Sequence, residues 1–168
     1  STKLDSCLVK LISGQSPNRK EHPARQGKYG ILKTTAIDWG IYKPEENQEI
    51  LDDFPPNENH LVGVGDILIT KAGPDHRVGV IAFVKKTLPK VLVSGKMTLL
   101  KTNAVVDARF LAYTLSTPFS QKYLKNNTTG MAMSQTNFTH EALLCVPVLL
   151  PNIKAEQQKI ASILTSVD

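Results

Sequence analysis

The hydrophobic pattern of this chain changes its period near Asp107. Before that residue, apolar residues form short runs between glycines and prolines, as in residues 67–69 and 80–84. From Phe110 onward, apolar and aromatic residues recur at spacings of three and four. The first pattern is typical of strands and the second of helices. We therefore predict an α/β fold of the α+β kind, with a twisted mixed sheet and flanking helices.

The predicted strands lie in the first two thirds of the chain. We expect them at residues 28–37, 66–71, 78–86 and 91–101, and Gly95 inside the last one suggests a bulge. Residues 38–62 hold Pro44, Pro55, Pro56 and many carboxylates, so they are expected to form a long irregular excursion. Loops of that length are uncommon unless they have a function.

The predicted helices carry recognisable start signals. Asp107 is a plausible N-cap, Pro118 suits the first position of a second helix, and Thr139 can cap a short third helix. Residues 126–137 between them are expected to be a polar loop, and residues 145–150 an edge strand. A final helix begins near Lys154, with an apolar seam of Ile153, Ile160, Ile163, Leu164 and Val167.

Length and composition indicate one ordinary domain. The 168 residues are enough to bury a core, and Cys7 and Cys145 form neither a disulfide framework nor a metal-site spacing. We therefore expect a cytoplasmic location. No apolar run approaches the roughly 20 residues that span a bilayer, so no membrane contact is expected. Because the chain stops at Asp168 inside a predicted helix, we expect that a longer protein continues there.

Charge is distributed in alternating blocks rather than evenly. The formal net charge is +5, yet residues 34–66 carry one Lys/Arg against eight Asp/Glu, and residues 67–101 carry seven against one. This pattern suggests a basic face and a separate acidic loop, with ordinary solvated faces as the alternative.

Motifs for catalysis are absent from the sequence. The four histidines are scattered, no phosphate-binding glycine loop is present, and no lysine follows an acidic residue by two positions as in many metal-dependent nucleases. Residues 54–57, FPPN, resemble the Pro-Pro motif of amino-methyltransferases but in the wrong order, and we interpret them as a turn.

The remaining polar residues suit the binding of nucleic acid. Lys71 and Arg77 flank a Gly73-Pro74 corner, and cations of this kind can neutralise phosphates, whereas amides and hydroxyls on loops can read base edges. Each residue taken singly is more often an ordinary surface residue. The predicted DNA-binding set is Lys28, Lys33, Thr34, Lys71, Arg77, Lys96, Ser134, Gln135 and Asn137.

Taken in order, several segments resemble a target recognition domain of the specificity subunit of type I restriction–modification systems. They are GQSP (14–17), YGILKTTAIDWG (29–40), GDILITKAGP (65–74), RVG (77–79), the helix at 110–130, and residues 138–164 with their Glu-Gln and Ile-Ala-x-x-Leu pattern. Residues 41–64 do not match, but the resemblance covers nearly all of the rest.

The resemblance implies a sequence-specific DNA recognition module without catalysis of its own. It divides the chain into a recognition domain, residues 1–151, and the start of a long spacer helix, residues 152–168, whose Ile160, Leu164 and Val167 would contact partners. Those partners would be double-stranded DNA, the modification and restriction subunits, and a second recognition domain in the full-length chain. S-adenosylmethionine, ATP and Mg²⁺ would belong to the partner subunits, so no cofactor is expected here.

Two other functions remain open at this point. The chain could be the recognition fragment of a fused restriction enzyme or methyltransferase, or a protein-interaction scaffold without DNA binding. Salt-dependent DNA binding would distinguish the recognition module from the scaffold. The target bases do not follow from the sequence, because side-chain readout depends on how the protein lies in the groove.

Overall fold

The computed structural model describes residues 1–132 and 135–167, and these form the mixed α and β fold expected from the sequence. The helices are α1 Ala108–Leu115, α2 Pro118–Asn126, α3 His140–Leu144 and α4 Lys154–Val167. The strands are β1 Thr2–Lys3, β2 Leu8–Ser13, β3 Gly30–Leu32, β4 Ile37–Asp38, β5 Ile41–Tyr42, β6 Asn47–Glu49, β7 Ile67–Thr70, β8 Ala72–Gly73, β9 Ile81–Phe83, β10 Val91–Leu92, β11 Met97–Thr102, β12 Thr129–Ala132, β13 Gln135–Asn137 and β14 Pro147–Val148.

The central sheet is antiparallel, with the order β2-β11-β7-β9. One face packs Ile67, Ile69 and Leu100 against α1 and α2, whereas the other face packs Leu68 and Leu99 into a second core. A strand buried on both faces needs no polar alternation. This explains why the sequence reads Ile-Leu-Ile in β7.

A second sheet, β10-β3-β6, contains one parallel and one antiparallel pairing. The predicted strand at 91–101 is therefore two strands in different sheets, because the chain turns at Gly95 instead of forming a bulge. A Cβ atom at Gly95 would lie 2.6 Å from the Ser16 Oγ. The predicted strand at 28–37 is also interrupted, by a 3₁₀ helix at Thr34–Ala36.

The segment 38–62 is more ordered than its composition suggested. It contains β5 and β6, and a 3₁₀ helix at Glu58–His60. Two-residue and three-residue strands leave little periodic signal, so the sequence could not reveal them. Likewise, residues 129–132 and 135–137 form a hairpin where a loop was predicted.

The capping signals of the helices are confirmed. The Asp107 Oδ1 accepts a hydrogen bond from the Phe110 backbone N–H at 2.8 Å, and the Thr139 Oγ1 accepts one from Ala142 at 3.0 Å. Pro118 begins α2. In the part of the chain that the structure describes, the short β14 pairs with β1 alone, as suits an edge strand that contains proline. None of the helices in residues 1–132 and 135–167 has the length and apolar character needed to cross a membrane.

Helix α4 packs on α1 through small and polar residues. Gln157 and Ala161 are buried, and the Thr165 Oγ1 lies 3.1 Å from the Tyr113 hydroxyl. Gln157 accepts a hydrogen bond from the Asp107 N–H at 2.8 Å and donates one to the Pro151 carbonyl at 2.7 Å. These contacts fix the start of α4 against the start of α1.

Candidate nucleic-acid interface

One end of the central sheet gathers residues from three strands. Strand β2 ends at Ser13 and β7 ends at Thr70, whereas the antiparallel β11 begins at Met97, so these termini meet. The Lys71 N–H donates to the Lys96 carbonyl at 2.8 Å. Lys71 and Lys96, which are 25 positions apart in sequence, are therefore neighbours at this end.

A depression of about 250 Å³ adjoins Lys96 and collects several of the predicted residues. We call it the basic pocket. It is lined by Ser16, Arg19, Leu32, Lys33, Thr34, Gln48, Ser94 and Lys96. Lys33, Thr34 and Lys96 were predicted from the sequence, whereas Arg19, Gln48, Ser16 and Ser94 were not. Arg19 follows the Gly-Pro opening at 14–17 in a basic loop, and that position was the available signal.

The predicted base-reading residues lie beside the same corner. Strand β13 pairs with β8, so that Asn137 faces Ala72 and Thr136 faces Gly73. The side chains of Gln135 and Asn137 are exposed there. Ser134 lies outside the described residues. The pairing places Asn137 opposite Ala72, the residue after Lys71, and Gln135 lies two residues before Asn137 on the same strand, an arrangement that suits base contacts near a phosphate contact.

Arg77 points into the protein instead of into solvent. Its side chain is 27% exposed, its guanidinium donates to the carbonyls of Thr34, at 3.2 Å, and of Ile37, and it lies 3.5 Å from the Asp38 carboxylate. These contacts hold the segment 34–38 against the corner. Arg77 thus positions Lys33 and Thr34, while Lys71, which is partly buried like Arg77, has no carboxylate partner within 4.0 Å in the described residues.

Lys28 lies away from the basic pocket. It lines a different depression together with Tyr29, Asp52 and Phe54, and its Nζ is 3.8 Å from the Asp52 carboxylate. The structure therefore brings together Lys33, Thr34, Lys71, Lys96, Gln135 and Asn137 from the predicted set, but not Lys28.

Most carboxylates of residues 34–66 pair with lysines and arginines of residues 20–33 and 77–101 rather than forming a separate acidic loop. Five of them do so in the described residues: Asp38 with Arg77, Glu46 with Lys33, Glu49 with Lys20 and Arg25, Asp52 with Lys20 and Lys28, and Asp66 with Lys101. By contrast, Arg19, Lys71 and Lys96 have no carboxylate within 4.0 Å in that part of the chain. These three cations remain available for an anionic ligand.

Glu49 anchors the loop that carries Arg19. It is fully buried, and its carboxylate accepts hydrogen bonds from Arg25, at 2.8 and 2.9 Å, and from Lys20, at 2.7 Å. The hydrogen bonds from Arg25 and then Lys20 hold the pKa of Glu49 far below its usual value. The residues between Lys20 and Arg25 are thereby tied to β6.

The predicted partner residues lie on a different part of the surface. On α4, Leu164 and Val167 are exposed, Val167 by 75%, and Ile160 is half-buried. Ile153 and Ile163 extend the same apolar seam. Because α4 contacts α1 through Gln157, Ala161 and Thr165, the seam is not needed for packing within this chain.

In the described ranges, 1–132 and 135–167, no group of three His, Cys, Asp or Glu side chains could hold a metal ion. The arrangement offers hydrogen-bond donors, cations and amides at one end of a rigid sheet. Such a set is suited to binding a phosphate-rich polymer.

Comparisons with known proteins identify a family model and related sequences. The family model described as "Type I restriction modification DNA specificity domain" matches residues 8–168. The chain is 31% identical over 165 residues to the specificity subunit of the type I restriction enzyme EcoEI from Escherichia coli, covering 96% of this chain and 27% of that protein.

Solved structures show the same fold. The specificity subunit of a type I restriction–modification system from M. genitalium aligns with a TM-score of 0.65 at 19% identity, over 98% of this chain and 37% of that one. The HsdS subunit from Thermoanaerobacter tengcongensis aligns with a TM-score of 0.59 at 19% identity, over 99% of this chain and 36% of that one. The chain thus spans about a third of these relatives. It belongs to the family of type I restriction–modification DNA specificity domains.

Proposed function

We propose that this chain is a sequence-specific DNA recognition module that reads one half of a split target site. The observation that carries the proposal is the meeting of Arg19, Lys71 and Lys96, which lack carboxylate partners in the described residues, with Gln135 and Asn137 on the adjoining hairpin. Cations that contact phosphates fix the register of the duplex, and amides at the same end can then read base edges.

The proposed division of labour is that the basic pocket supplies affinity and the hairpin supplies sequence preference. Amide side chains such as Gln and Asn can form paired hydrogen bonds with adenine in the major groove. Strand β13 lies between β12 and β8 and exposes the Gln135 and Asn137 side chains, although the Asn137 Oδ1 accepts a long hydrogen bond, 3.4 Å, from the Thr129 Oγ1.

We further propose that the chain performs no chemistry and that partner subunits supply it. S-adenosylmethionine, ATP and Mg²⁺ would then be bound by those subunits. The exposed seam of α4 supports a role in assembly, because exposed apolar side chains at helical spacing suit the packing of a second helix. One structural relative was described in work on complex assembly of the type I R-M system, with a TM-score of 0.63 at 20% identity over 98% of this chain and 37% of that one.

Selection from a randomised duplex library tests the reading of bases. We expect the wild-type chain to enrich a short motif and the double variant Gln135→Ala with Asn137→Ala to lose preference at one or two positions while general affinity survives. Each lost contact should reduce discrimination by about 1–3 kcal/mol at its base. The double variant Gln26→Ala with Asn59→Ala removes the same two side-chain types from exposed positions elsewhere and serves as the control.

The outcomes separate the competing functions. An unchanged motif in the hairpin variant would show that Gln135 and Asn137 do not read bases. A wild-type chain that binds no duplex at low salt would favour a protein-interaction scaffold. If the chain alone methylates or cleaves DNA when S-adenosylmethionine or Mg²⁺ is added, the non-catalytic assignment is wrong.

A further inference from the structure

Three polar side chains from separate elements meet at the end of the central sheet that carries Lys71. Ser13 is the last residue of β2, Lys71 follows β7, and His140 is the first residue of α3. The Ser13 Oγ lies 2.5 Å from the His140 Nε2, and the Lys71 Nζ lies 3.3 Å from the same Oγ. We call these three residues the Ser13–Lys71–His140 cluster.

The hydrogen-bond directions of the cluster follow from its chemistry. The Lys71 ammonium can only donate, so the Ser13 Oγ accepts from it. The single hydroxyl proton of Ser13 is then available to the His140 Nε2, which must be an acceptor. This requires a neutral imidazole. Burial, and then the positive charge of Lys71, lower the pKa of His140 and favour that neutral form.

The cluster has positive charge but no negative partner. In the described residues, no carboxylate lies within 4.0 Å of the Lys71 Nζ or of the His140 ring. The other charges on the surrounding elements are Glu141 on α3, Asp5 on the 3₁₀ helix packed against α3, Lys10 on β2, and Lys96, whose carbonyl accepts from the Lys71 N–H. Of the charged groups around it, Lys71 is the one that shifts the His140 pKa.

Protonation of His140 would turn the cluster into a set of donors. The Nε2–H would donate to the Ser13 Oγ, which would then accept two hydrogen bonds and turn its own proton outward. Lys71 would keep its remaining N–H groups for the same ligand. A base edge presents acceptors and donors together, whereas a phosphate presents only acceptors and carries charge. The cluster therefore suits a phosphate.

We propose that Ser13, Lys71 and His140 form a phosphate subsite that takes up one proton from solvent, at His140, when a phosphate binds. The inference rests on the proposed function, which places DNA beside the hairpin. Lys71 adjoins β8, where Ala72 pairs with Asn137 of that hairpin. The phosphate is that of the DNA backbone beside the bases being read. Its negative charge offsets the repulsion between Lys71 and the imidazolium, so that DNA binding and protonation reinforce each other.

The first test follows the His140 ring by NMR as a function of pH, with its signal assigned by the loss of one histidine resonance in His140→Gln. The probes are inorganic phosphate and a short duplex, and the titration with each probe is compared with that of the ligand-free protein. We expect both probes to raise the pKa of His140. A His140 pKa that neither probe changes would overturn the subsite.

The second test measures duplex affinity between about pH 5 and 8, where an imidazole changes its charge. If binding takes up one proton, the logarithm of the duplex affinity should fall by up to about one unit for each unit by which the pH rises. His140→Gln should abolish this slope, and Ser13→Ala should weaken it. His76→Gln, which removes an exposed imidazole from the adjacent turn, should leave the slope unchanged.

The two proposals fail in different ways. If the wild-type chain binds duplex DNA but His140→Gln keeps the pH slope, the subsite is wrong and the DNA-recognition function stands. If inorganic phosphate raises the His140 pKa but no duplex binds, the subsite stands as a site for free phosphate and the proposed function is wrong.

Discussion

Gln157 joins three segments through a side chain that has no access to solvent. Its amide oxygen accepts from the Asp107 N–H, and its amide nitrogen donates to the carbonyls of Pro151, at 2.7 Å, and Val105, at 3.4 Å. Asp107 in turn caps α1. A buried polar group is tolerated when each of its donors and acceptors is satisfied. Gln157 therefore fixes where α4 leaves the domain.

Replacement of Gln157 by alanine is expected to lower the free energy of unfolding by about 1–3 kcal/mol, because buried backbone groups lose their partners. Urea unfolding followed by circular dichroism measures the change. Gln158→Ala removes the same side chain from the exposed neighbouring position and should stay within about 0.5 kcal/mol of wild type. Equal effects of both variants would show that the hydrogen bonds of Gln157 contribute nothing.

Glu49 has a comparable role in the loop that carries Arg19, but it is ionised. Its pKa is lowered in the folded state, so its contribution to stability is present above the pKa of an unfolded glutamate, about 4.3. That contribution is lost as the pH falls below this value towards the folded pKa. Acid should therefore loosen the attachment of residues 20–25 to β6.

We expect Glu49→Gln to be less stable than wild type at neutral pH and the difference to shrink as the pH falls below about 4.3, because the wild-type carboxylate is then protonated in the unfolded state. Thermal unfolding at a series of pH values measures this difference in stability between the variant and wild type. Glu21→Gln, at an exposed position, should leave the pH profile unchanged. A difference between wild type and Glu49→Gln that is constant with pH would contradict this account.

At the scale of elements, local signals predicted the helices and located β7 and β9, but they missed the shorter strands and the division of residues 91–101. Asp107, Pro118 and Thr139 act within one turn of their own helices, so they can be identified without knowing the rest of the fold. Strands β10 and β11 look continuous in sequence but belong to different sheets. Strand identity depends on pairing partners that are distant along the chain, which a single sequence does not supply.

The same distinction applies to the candidate site. Lys33, Thr34, Lys71 and Lys96 were identified by residue type and position near strand ends, and the structure brings them to one end of the sheet. Arg19 was indicated only by its position in a basic loop after residues 14–17, whereas His140 reaches that end through tertiary packing and no local pattern indicated it. Arg77 resembled Lys71 in sequence, yet nearby backbone carbonyls bind its guanidinium, and only the fold reveals them.

Helix α4 has two distinct faces. Gln157, Ala161 and Thr165 face the domain, while Ile163, Leu164 and Val167 are exposed. Side chains that are already exposed contribute little to the stability of the chain, but they would contribute to assembly through burial against a partner. The two properties should therefore respond to different substitutions.

The double variant Leu164→Gln with Val167→Gln is expected to unfold within about 0.5 kcal/mol of wild type. Its affinity for the modification subunit should fall at least about tenfold, because two apolar side chains no longer become buried. Isothermal titration calorimetry measures the affinity. Ala155→Gln with Ser162→Gln places the same side chain on the opposite side of the helix and is the control. Equal losses in both variants would argue against the seam as the contact.

Over the whole molecule, the fold separates cations that pair with carboxylates of the protein from cations that could bind an anionic ligand. The basic block 67–101 is divided between the two ends of the central sheet. Because β7 and β9 are antiparallel, Lys71 lies at one end, whereas Lys85 and Lys86 follow β9 at the other end, where Lys101 pairs with Asp66 at 2.9 Å. Net charge alone could not distinguish the two ends.

A salt titration of duplex affinity compares the two ends directly. Each phosphate contact contributes about 0.9 to the slope of log affinity against log salt. Lys71→Ala with Lys96→Ala is therefore expected to reduce the slope by about two units and to weaken binding to all duplex sequences. Lys85→Ala with Lys86→Ala makes the same change in net charge at the opposite end and should leave the slope nearly unchanged. A similar loss in both variants would mean that the duplex senses only the overall charge of the protein. A loss confined to the Lys85 and Lys86 variant would move the DNA to the opposite end of the sheet.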